Sequence, residues 1–593
     1  MRFSPRGWLA RETTVWAVLC SLIAVGEAGV LLLAARHGFD FTDEGFYLNS
    51  IGRDSEGSTH VSSFGQVFRP VNAALGADVV AVRWFNILVV LLAGSVLGWA
   101  LMSRGGEAAR GRSAAVLAVA ASTLGFFGTG LLSPSYNSLA AIGVLVVGSG
   151  LVLSADREST RGRTRAAALL VGLGGLATLL GKPSAAMAVA VVAGLGLLVV
   201  GPVGRRVAVM AAAVAGIGLV LTSWVLTGSP IGLVERLQRA VADARGMEAG
   251  HDLGSALSQF GMPATSSWAL LVSLVLATAT FTWSRGWLSS GRRKAAWLLV
   301  SAAATAYVAY SFIGQVEALS YATPTRALVI LSASVGVILA GLTTGRRPDL
   351  PSSVLAVTLC LLPHAWAFGS NNDYWHGGSL LYVLWFAAGV VLLRGQRGAD
   401  PAAPAIGTTV PMLLLTAAVI ASVVTNPYRQ VVPTFDQETA TRVGPSATLR
   451  LAPDFARAID GFREAAYGAG FTAGTPVLDL TGQMPGLVFA IEGRAAGAPW
   501  IIGGYPGSDD VARRTVSRTS CSTLAEAWLI QEPAGTRQID PAVLSELGAS
   551  LDDWTPVTSQ TFTTIPGTER SVTLLRPTSS PEDRLAECEA ARG

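Results

Sequence analysis

Four residues near the start of the chain carry groups that could do acid–base chemistry. Asp40, Asp43 and Glu44 lie within five positions of one another, and Tyr47 follows three residues later. Carboxylates this close repel one another, which favours a bound proton, a paired cation or a role as a base. A short helix capped by Thr42 or Asp43 would explain the same residues without any catalysis. The segment therefore predicts either a functional site or simply a helix start.

Few basic residues are in a position to balance these acids. Lys182 is one of only two lysines, and it lies between two long apolar segments. A buried ammonium is costly unless it is paired, and a lipid phosphate is a natural partner for it. Arg326, at the start of a later apolar segment, is the second candidate for phosphate binding, ahead of Arg69 and Arg83. The alternative for each is a side chain that reaches out to the lipid headgroups.

Two polar segments interrupt the apolar sequence and carry side chains of the kinds that bind sugars. Residues 133–137 have the composition of a tight turn, and residues 369–376 mix amides with aromatic rings. Such residues either line a carbohydrate pocket or satisfy the turns themselves. The predicted substrate-binding residues are Tyr47, Tyr136, Asn137, Asn371, Asn372 and His376.

The composition indicates what must hold these residues in place. Of the 593 residues, 51% are hydrophobic and only 14% are charged, and the mean hydropathy is +0.48. These values exclude a water-soluble enzyme, a fibrous protein and a disordered chain. Apolar segments long enough to cross a bilayer as helices recur up to residue 424. We predict a polytopic all-α membrane domain of about thirteen transmembrane helices, at 14–35, 79–102, 113–132, 137–154, 166–181, 184–200, 207–227, 266–283, 295–313, 327–343, 352–369, 378–393 and 407–424.

Arginine clusters alternate with these segments and predict which side of the membrane each connection faces. Several arginines precede the first segment, and later clusters follow every second one. Because short cytoplasmic loops retain Lys and Arg, the N-terminus is expected in the cytoplasm and the chain in the plasma membrane. An odd number of spans then places the loop 36–78 and the C-terminal region 426–593 outside the cytoplasm. The break around Lys182 leaves a re-entrant hairpin as the alternative to two spans.

The C-terminal region predicts a small extracytoplasmic α/β domain, with the boundary between residues 1–425 and 426–593. Strands are expected at 476–480, 500–503, 527–531, 557–564 and 571–575, with helices at 454–467, 507–518 and 541–547. The loops at 479–483 and 503–507 fit either an acceptor glycan or the turns at strand ends. Cys521 and Cys588 fit a disulfide and two free thiols equally well.

Several kinds of site lack their sequence signature. No His and Cys cluster has metal-ligand spacing, and neither a Walker loop nor a Gly-x-Ser-x-Gly elbow occurs. The net charge of +4 describes arginines that face anionic lipid, so no nucleic acid partner is expected. We predict no metal site and no required cofactor, while a divalent cation held by Asp43 or Glu44 together with a phosphate stays open.

The segment Asp43-Glu44-Gly45-Phe46-Tyr47 resembles a motif of the GT-C superfamily of membrane glycosyltransferases, in which an Asp-Glu pair and an aromatic residue open the first external loop. The overall layout is similar to that of the protein O-mannosyltransferases and the lipid A aminoarabinose transferases. This resemblance implies a polyprenyl-phosphate sugar as donor, an acceptor outside the cytoplasm, and Asp43 as the base with Glu44 beside it. The long amphipathic helix pattern of that superfamily's first loop is not expected here, nor is its His-rich mannosyltransferase signature.

Taken together, the residues and the resemblance predict an integral-membrane glycosyltransferase. It would move a hexose or pentose from a polyprenyl-phosphate donor to a cell-envelope glycan, lipid or protein. Asp43 would take the proton of the acceptor, and Lys182 and Arg326 would bind the donor phosphate. A transporter or lipid flippase is one alternative, although the odd number of spans and the lack of a visible internal repeat disfavour it. A non-catalytic envelope-assembly protein of the same fold is the other.

Overall fold

The computed structural model describes residues 5–53, 56, 60–103, 109–155, 160–248, 267–284, 324–343, 348–370, 373–394, 402–533, 535–565 and 568–593. Within these ranges the chain is helical up to residue 425, and its strands all follow that point. The helices of the first part are α1 (Pro5–Ala34), α2 (Asp43–Gly52), α3 (Phe64–Ala74), α4 (Val79–Met102), α5 (Ala109–Ser122), α6 (Tyr136–Ser154), α7 (Arg161–Gly181), α8 (Pro183–Val200), α9 (Pro202–Thr227), α10 (Gly232–Gly246), α11 (Ser267–Ser284), α12 (Pro324–Leu342), α13 (Leu350–Ala367), α14 (Tyr374–Gly378), α15 (Val383–Arg394) and α16 (Ala402–Thr425).

Ten of the described helices are long and apolar enough to cross a membrane. Their outer faces leave large apolar side chains exposed, and Val225 of α9 is 82% exposed. Such a surface is unfavourable in water and favourable in lipid. The ten helices are therefore compatible with a multi-pass membrane protein.

Ten of the thirteen predicted segments coincide with these helices. The segment at 266–283 contains a shorter apolar helix, Ala269–Thr282, and the segment at 378–393 falls in two helices that meet at an angle of 64°. The segment at 295–313 lies outside the described residues. The described part of the chain thus accounts for ten spans, or eleven if the bent pair is one span, and the count of thirteen stays a prediction.

Both α1 and α16 end at the C-terminal region. The N–H of Arg450 in that region donates a hydrogen bond to the carbonyl of Arg36, directly after α1, at 2.9 Å. α16 ends at Thr425 and leads into the same region. If each span crosses the bilayer, an odd number of spans is needed for both helices to end on one side. This parity agrees with the predicted topology.

Small residues bring α6 and α7 into close contact. A Cβ added at Gly143 of α6 would lie 2.5 Å from the carbonyl oxygen of Gly174, and one added at Gly181 would lie 2.7 Å from that of Tyr136. Only glycine allows the two backbones to approach this closely. The end of α7 is therefore fixed beside the beginning of α6, which places Lys182 next to the turn at 133–137.

The first loop folds into two helices, and α2 packs on the C-terminal region. The N–H of Gly486 donates to the carbonyl of Phe41 at 2.7 Å, and Asn49 Nδ2 donates to the carbonyl of Pro485 at 2.8 Å. A Cβ on Gly45 would lie 2.1 Å from the Gly486 Cα. The second helix, α3, is 11 residues long and buries Phe64, Gly65, Phe68 and Asn72 along one face. It is a short amphipathic helix, whereas the expectation concerned a long one.

The C-terminal region is a small α/β domain. Its main sheet has the strand order β4-β3-β5-β7-β6, in which β3 pairs in parallel with β4 and β5, and β7 pairs antiparallel with β5 and β6. A separate antiparallel hairpin, β1–β2, precedes it. The elements are β1 (Thr439–Val443), β2 (Ala447–Leu451), α17 (Pro453–Gly468), β3 (Pro476–Asp479), α18 (Pro485–Ala490), β4 (Arg494–Ala495), α19 (Ser508–Ser517), α20 (Cys521–Ala525), β5 (Trp528–Gln531), β6 (Trp554–Ile565), β7 (Thr568–Pro577) and α21 (Pro581–Arg592).

Most predicted elements of this domain are present, with three kinds of error. The predicted strand at 500–503 is irregular, because Trp500 and its neighbours form a loop that bonds to the turn after β3. The strands β1, β2 and β4 and the helices α18, α20 and α21 were not predicted. The predicted helix at 541–547 is a 3-10 helix, Pro541–Leu547.

A disulfide joins Cys521 at the start of α20 to Cys588 of α21, with a Cα–Cα distance of 5.7 Å. The sequence left this pairing open. The bond ties the last helix of the chain to the helix that precedes β5. It therefore holds α21 against α20.

Candidate active site

The start of α2 is organised by Asp40. Its Oδ1 accepts a hydrogen bond from Thr42 Oγ1 at 2.8 Å, and its Oδ2 accepts one from the Glu44 N–H at 3.1 Å. Thr42 occupies the N-cap position but makes no side-chain capping bond. Capping by Thr42 or by Asp43 is therefore wrong. Instead, the Asp40 side chain accepts a hydrogen bond from a backbone N–H of the first helical turn. The Asp43 carboxylate bonds to Tyr428, which follows α16.

The carboxylate of Asp43 faces the chain that follows α16. Asp43 Oδ2 accepts a hydrogen bond from the Tyr428 hydroxyl at 3.1 Å, and it lies 3.5 Å from Arg429 Nη1. The Arg429 guanidinium also donates to Thr42 Oγ1 and stacks over the Tyr428 ring at 4.7 Å. Arg429 has a φ of +53°, which is uncommon for a residue with a side chain. This turn of the backbone allows Tyr428 and Arg429 to contact the same carboxylate.

The protonation of this region follows from its burial. Burial raises the pKa of Asp43, while the charge of Arg429, the Tyr428 hydrogen bond and the charge of Arg537 oppose the rise. Burial raises the pKa of Asp40 to about 6, and the nearby charge of Asp43 adds to this effect. Because a general base works best when its pKa approaches the working pH, Asp43 is a better proton acceptor than a solvated aspartate.

Glu44 points away from Asp43 and is held in a closed network. Arg83 of α4 contacts it through Nε and Nη2 at 2.8 and 2.6 Å, and Ser133 Oγ donates to it at 2.6 Å. The same guanidinium donates to the carbonyls of Ala35, His37 and Gly38. Glu44 and Arg83 are each 3% exposed. These contacts describe an anchor between the first loop and α4 rather than a second catalytic acid or a phosphate ligand.

A cavity of about 140 Å³ opens beside Asp43. A cavity of about 150 Å³ is large enough for a six-membered ring. Four other predicted site residues share its wall, namely Tyr47, Tyr136, Asn137 and Lys182. The structure thus brings together residues that are up to 139 positions apart in sequence, between the ends of the helices and the C-terminal domain.

Two tyrosines form one side of this cavity. The rings of Tyr47 and Tyr136 meet edge to face with their centroids 5.9 Å apart. Tyr136 opens α6, where Ser135 and Ser138 form a reciprocal capping box. Burial raises the pKa of Tyr47 well above its usual value. Its hydroxyl therefore stays protonated and can donate a hydrogen bond to an oxygen in the cavity.

Lys182 supplies the positive charge of the cavity. It is only 7% exposed, and its Nζ donates to the carbonyls of Trp366 and Ala367 at 3.2 and 3.4 Å. The ammonium also lies 5.5 Å from the centroid of the Trp366 ring. Among the described residues these partners are all neutral, and burial lowers the pKa of Lys182 to about 7. An anion bound beside it would favour the charged form of the side chain. A buried uncompensated ammonium favours an anion as ligand.

Arg326 does not line this cavity. It is 1% exposed, and its Nη1 donates to the carbonyl of Gly128 at 2.7 Å. A Cβ on Gly128 would lie on the guanidinium, 2.0 Å from Nη2. The arginine therefore packs behind the 3-10 helix Thr123–Thr129, whose last residue, Thr129, faces the cavity.

The remaining predicted site residues contribute little to the wall that is described. His376 lies within electrostatic range of Arg326, and its backbone N–H bonds to the side chain of Asp373 at 2.8 Å. The next residue, Gly377, lines the cavity, whereas His376 does not. Asn371 and Asn372 lie outside the described residues. Ser370 beside them does reach the cavity.

Three important residues were not predicted from the sequence. Tyr428 and Arg429 follow the last span directly, where an arginine is usually assigned to the membrane boundary. Trp366 ends α13 and covers the Lys182 ammonium. For Tyr428 and Arg429, the sequence feature that could have pointed to a site is their position together, after Pro427, at the boundary between the two domains.

A metal ion shared by Asp43 and Glu44 does not fit this arrangement. The Glu44 oxygens are bonded to Arg83 and Ser133, so they cannot turn towards Asp43 without leaving a buried guanidinium unpaired. Within the described ranges, no group of three or more His, Cys, Asp or Glu side chains has the geometry to hold a metal. A divalent cation held by Asp43 together with a phosphate stays a prediction.

Comparison with known proteins gives no relative from which a function could be transferred. No protein-family model matches the chain, and a search of curated proteins found no match. The chemistry has to be inferred from the residues that meet at the cavity.

Proposed function

We propose that this chain is an integral-membrane glycosyltransferase that moves a sugar from a polyprenyl-phosphate donor to an extracytoplasmic acceptor. One observation carries the proposal: Asp43, a half-buried carboxylate, and Lys182, a buried lysine, line the same cavity. The cavity lies at the ends of apolar helices and beside Tyr428, in the segment that leads from α16 into the C-terminal domain. We infer that it receives the lipid-linked donor from the membrane and the polar acceptor from the other side. The resemblance of Asp43–Tyr47 to the GT-C first-loop motif points to the same activity.

The reaction needs one base and one cation. The acceptor hydroxyl gives its proton to Asp43 while its oxygen forms a bond to the anomeric carbon of the donor sugar. The bond between that carbon and the phosphate oxygen breaks, and the electron pair leaves with the polyprenyl phosphate. Lys182 stabilises the charge that develops on the phosphate, so no general acid is required. Tyr47 and Tyr136 orient the sugar oxygens beside Asp43.

The disulfide and the arginine clusters support an extracytoplasmic position for the domain. Disulfides persist in oxidising compartments, and Cys521 and Cys588 are bonded. At the other ends of the helices, Arg163 Nη2 donates to the carbonyl of Ser103, so the end of α4 and the beginning of α7 lie together, each beside an arginine cluster in the sequence. The cytoplasmic N-terminus follows from the same arginines.

The test is transfer by the full-length protein in lipid nanodiscs with a panel of radiolabelled polyprenyl-phosphate hexoses and pentoses. The acceptor is a cell-envelope extract of the host. Asp43→Asn keeps the shape of the side chain but removes the base, and we expect transfer to fall by at least about 100-fold. The control is Asp460→Asn, because Asp460 is an exposed acid on α17 of the C-terminal domain that does not line the cavity.

Full activity of the Asp43→Asn protein would refute this role. No transfer by the wild type from any donor, with donor binding retained, would favour the envelope-assembly alternative. Movement of intact lipid between leaflets by both proteins, without sugar transfer, would favour a flippase.

A further inference from the structure

The Lys182 side chain ends at the C-terminus of another membrane helix. The carbonyls that accept from its Nζ belong to Trp366 and Ala367, the last two residues of α13. The last carbonyls of a helix have no partner within the helix, and their partial negative charge favours a cation. Nearby, Ser184 Oγ donates to the carbonyl of Phe368 at 3.2 Å. The connection between α7 and α8 is therefore held on the end of α13 by two polar side chains.

The indole ring of Trp366 lies beside the same ammonium. The distance of 5.5 Å from Nζ to the ring centroid is within the range of about 6 Å over which a cation is attracted to an aromatic face. Trp366 is 3% exposed, and it lines the cavity together with Lys182. Because water has little access to this contact, the attraction is stronger than it would be on an open surface.

Contacts with two other elements fix the orientation of the indole. Its Nε1 donates to the carbonyl of Asn137, in the first turn of α6, at 3.4 Å. Its ring meets the Phe126 ring edge to face, with the centroids 6.0 Å apart. Asn137 and Phe126 line the cavity as well. Trp366 thus joins α13 to α6 and to the 3-10 helix Thr123–Thr129, and these contacts set the place of the Lys182 ammonium in the cavity wall.

We propose that Trp366 is a positioning residue, whose ring holds the Lys182 ammonium at the point of the cavity where the phosphate of the donor binds. This inference rests on the proposed transferase function and adds a residue to its donor site. An ammonium has three N–H donors, and the contacts of the described structure use two of them, so the third can donate to a phosphate oxygen. A neutral ring attracts the ammonium without competing with the phosphate as a carboxylate partner would.

The experiment compares the binding of two lipids to the full-length protein in phosphatidylcholine nanodiscs, followed by native mass spectrometry. Undecaprenyl phosphate carries the phosphate, and undecaprenol is the same chain with a hydroxyl group. The ratio of their affinities, the phosphate preference, isolates the phosphate contact. Trp366→Leu should lower the phosphate preference about fivefold, because the ammonium loses the ring. Trp366→Phe should retain most of it. Both variants lose the bond to Asn137, so the difference between them reports the aromatic face.

Two further variants separate positioning from packing. In the Lys182→Met protein, Trp366→Leu should lower the phosphate preference no further, because the ammonium on which the ring acts is absent. Trp385→Leu is the matched control, since Trp385 is also a buried tryptophan with a bonded Nε1, yet it does not line the cavity. It should leave the phosphate preference unchanged. If Trp366→Leu does not fold, Trp366→Met gives the same comparison with a larger, unbranched side chain.

The outcomes distinguish this inference from the proposed function. An unchanged phosphate preference in Trp366→Leu, or an equal loss with and without Lys182, would overturn the positioning role and leave the transferase standing. A phosphate preference that depends on Trp366 and Lys182 in a wild type that transfers no sugar would refute the transferase alone. Equal binding of the two lipids by the wild type would overturn both the phosphate site and the role of Trp366 in it.

Discussion

Asp43 and Glu44 are neighbours in sequence, but they belong to two different environments. Successive residues of a helix point about 100° apart, so Asp43 faces the cavity and Glu44 faces α4. Glu44 is enclosed by Arg83 and Ser133. Asp43 keeps a 21% exposed side chain and shares its charge with Arg429 and a hydroxyl group. From the sequence alone, either carboxylate could act as a base. Their partners distinguish them, because Glu44 is bonded to Arg83 and Ser133 whereas Asp43 lines the cavity.

The largest expected difference between the two environments is in stability. Arg83→Met should lower the free energy of unfolding by about 3–5 kcal/mol, because it leaves the Glu44 carboxylate buried without its partner. Asp43→Asn should lower it by less than about 1 kcal/mol, since Asp43 is less enclosed. Thermal unfolding in detergent, followed by aggregation and size-exclusion chromatography, measures both. If the double variant Arg83→Met/Glu44→Gln were no more stable than Arg83→Met, the unpaired charge would not be the cause.

The next difference lies in ligand binding. Lys182→Met removes the ammonium but preserves much of the apolar stem, so we expect undecaprenyl phosphate to bind about 10-fold or more weakly. The melting temperature of Lys182→Met should stay the same or rise, because the variant removes a buried, ionisable group that has no ionic partner. Lys182→Arg should restore part of the affinity. A melting temperature that fell as far as it does for Arg83→Met would show that Lys182 is an anchor as well.

The smallest expected effect is a shift in pH dependence. The pKa of Asp43 is raised above the ordinary value of 3.8, so transfer should fall as the pH drops through that raised pKa and the base takes up a proton. The charge of Arg429 opposes the rise in the pKa of Asp43, so Arg429→Gln makes Asp43 harder to ionise. The acidic limb of the rate profile should therefore move to higher pH by about one unit. A limb that did not move would show that Arg429 does not set the pKa of the base.

The sequence predicted the membrane helices well because span length and hydropathy are local properties. It also predicted Asp43, Lys182 and two tyrosines as site residues, and the structure places all four in the wall of one cavity; their role stays a prediction. It could not predict their meeting, which depends on the glycine contacts between α6 and α7. Nor could it predict that Glu44 pairs with Arg83, 39 residues away, or that Arg326 packs behind Gly128. In each case the partner of a charged side chain is set by tertiary packing.

The arginines beside Asp43 were missed for a different reason. Arg429 lies at a membrane boundary, where arginines are common for topological reasons alone. Arg537 lies in a polar loop of an ordinary-looking domain. The loops at 479–483 and 503–507, which the sequence left open between an acceptor glycan and the turns at strand ends, do meet the loop of Arg537. A Cβ on Gly482 or Gly503 would lie 1.8 or 1.7 Å from the carbonyl oxygen of Arg537.

The packing of α2 on the C-terminal domain limits how the molecule can be divided. Phe41 stacks on Phe455 of α17 at 5.0 Å, and the first-loop aromatic residues share one core with the strands of the sheet. A fragment of residues 426–593 would expose that core, and a fragment of residues 1–425 would leave α2 without support. During synthesis the first loop emerges long before its packing partner. The pocket around Asp43 is therefore complete only after the last domain has folded, so a truncated chain could insert its helices and still lack a finished site.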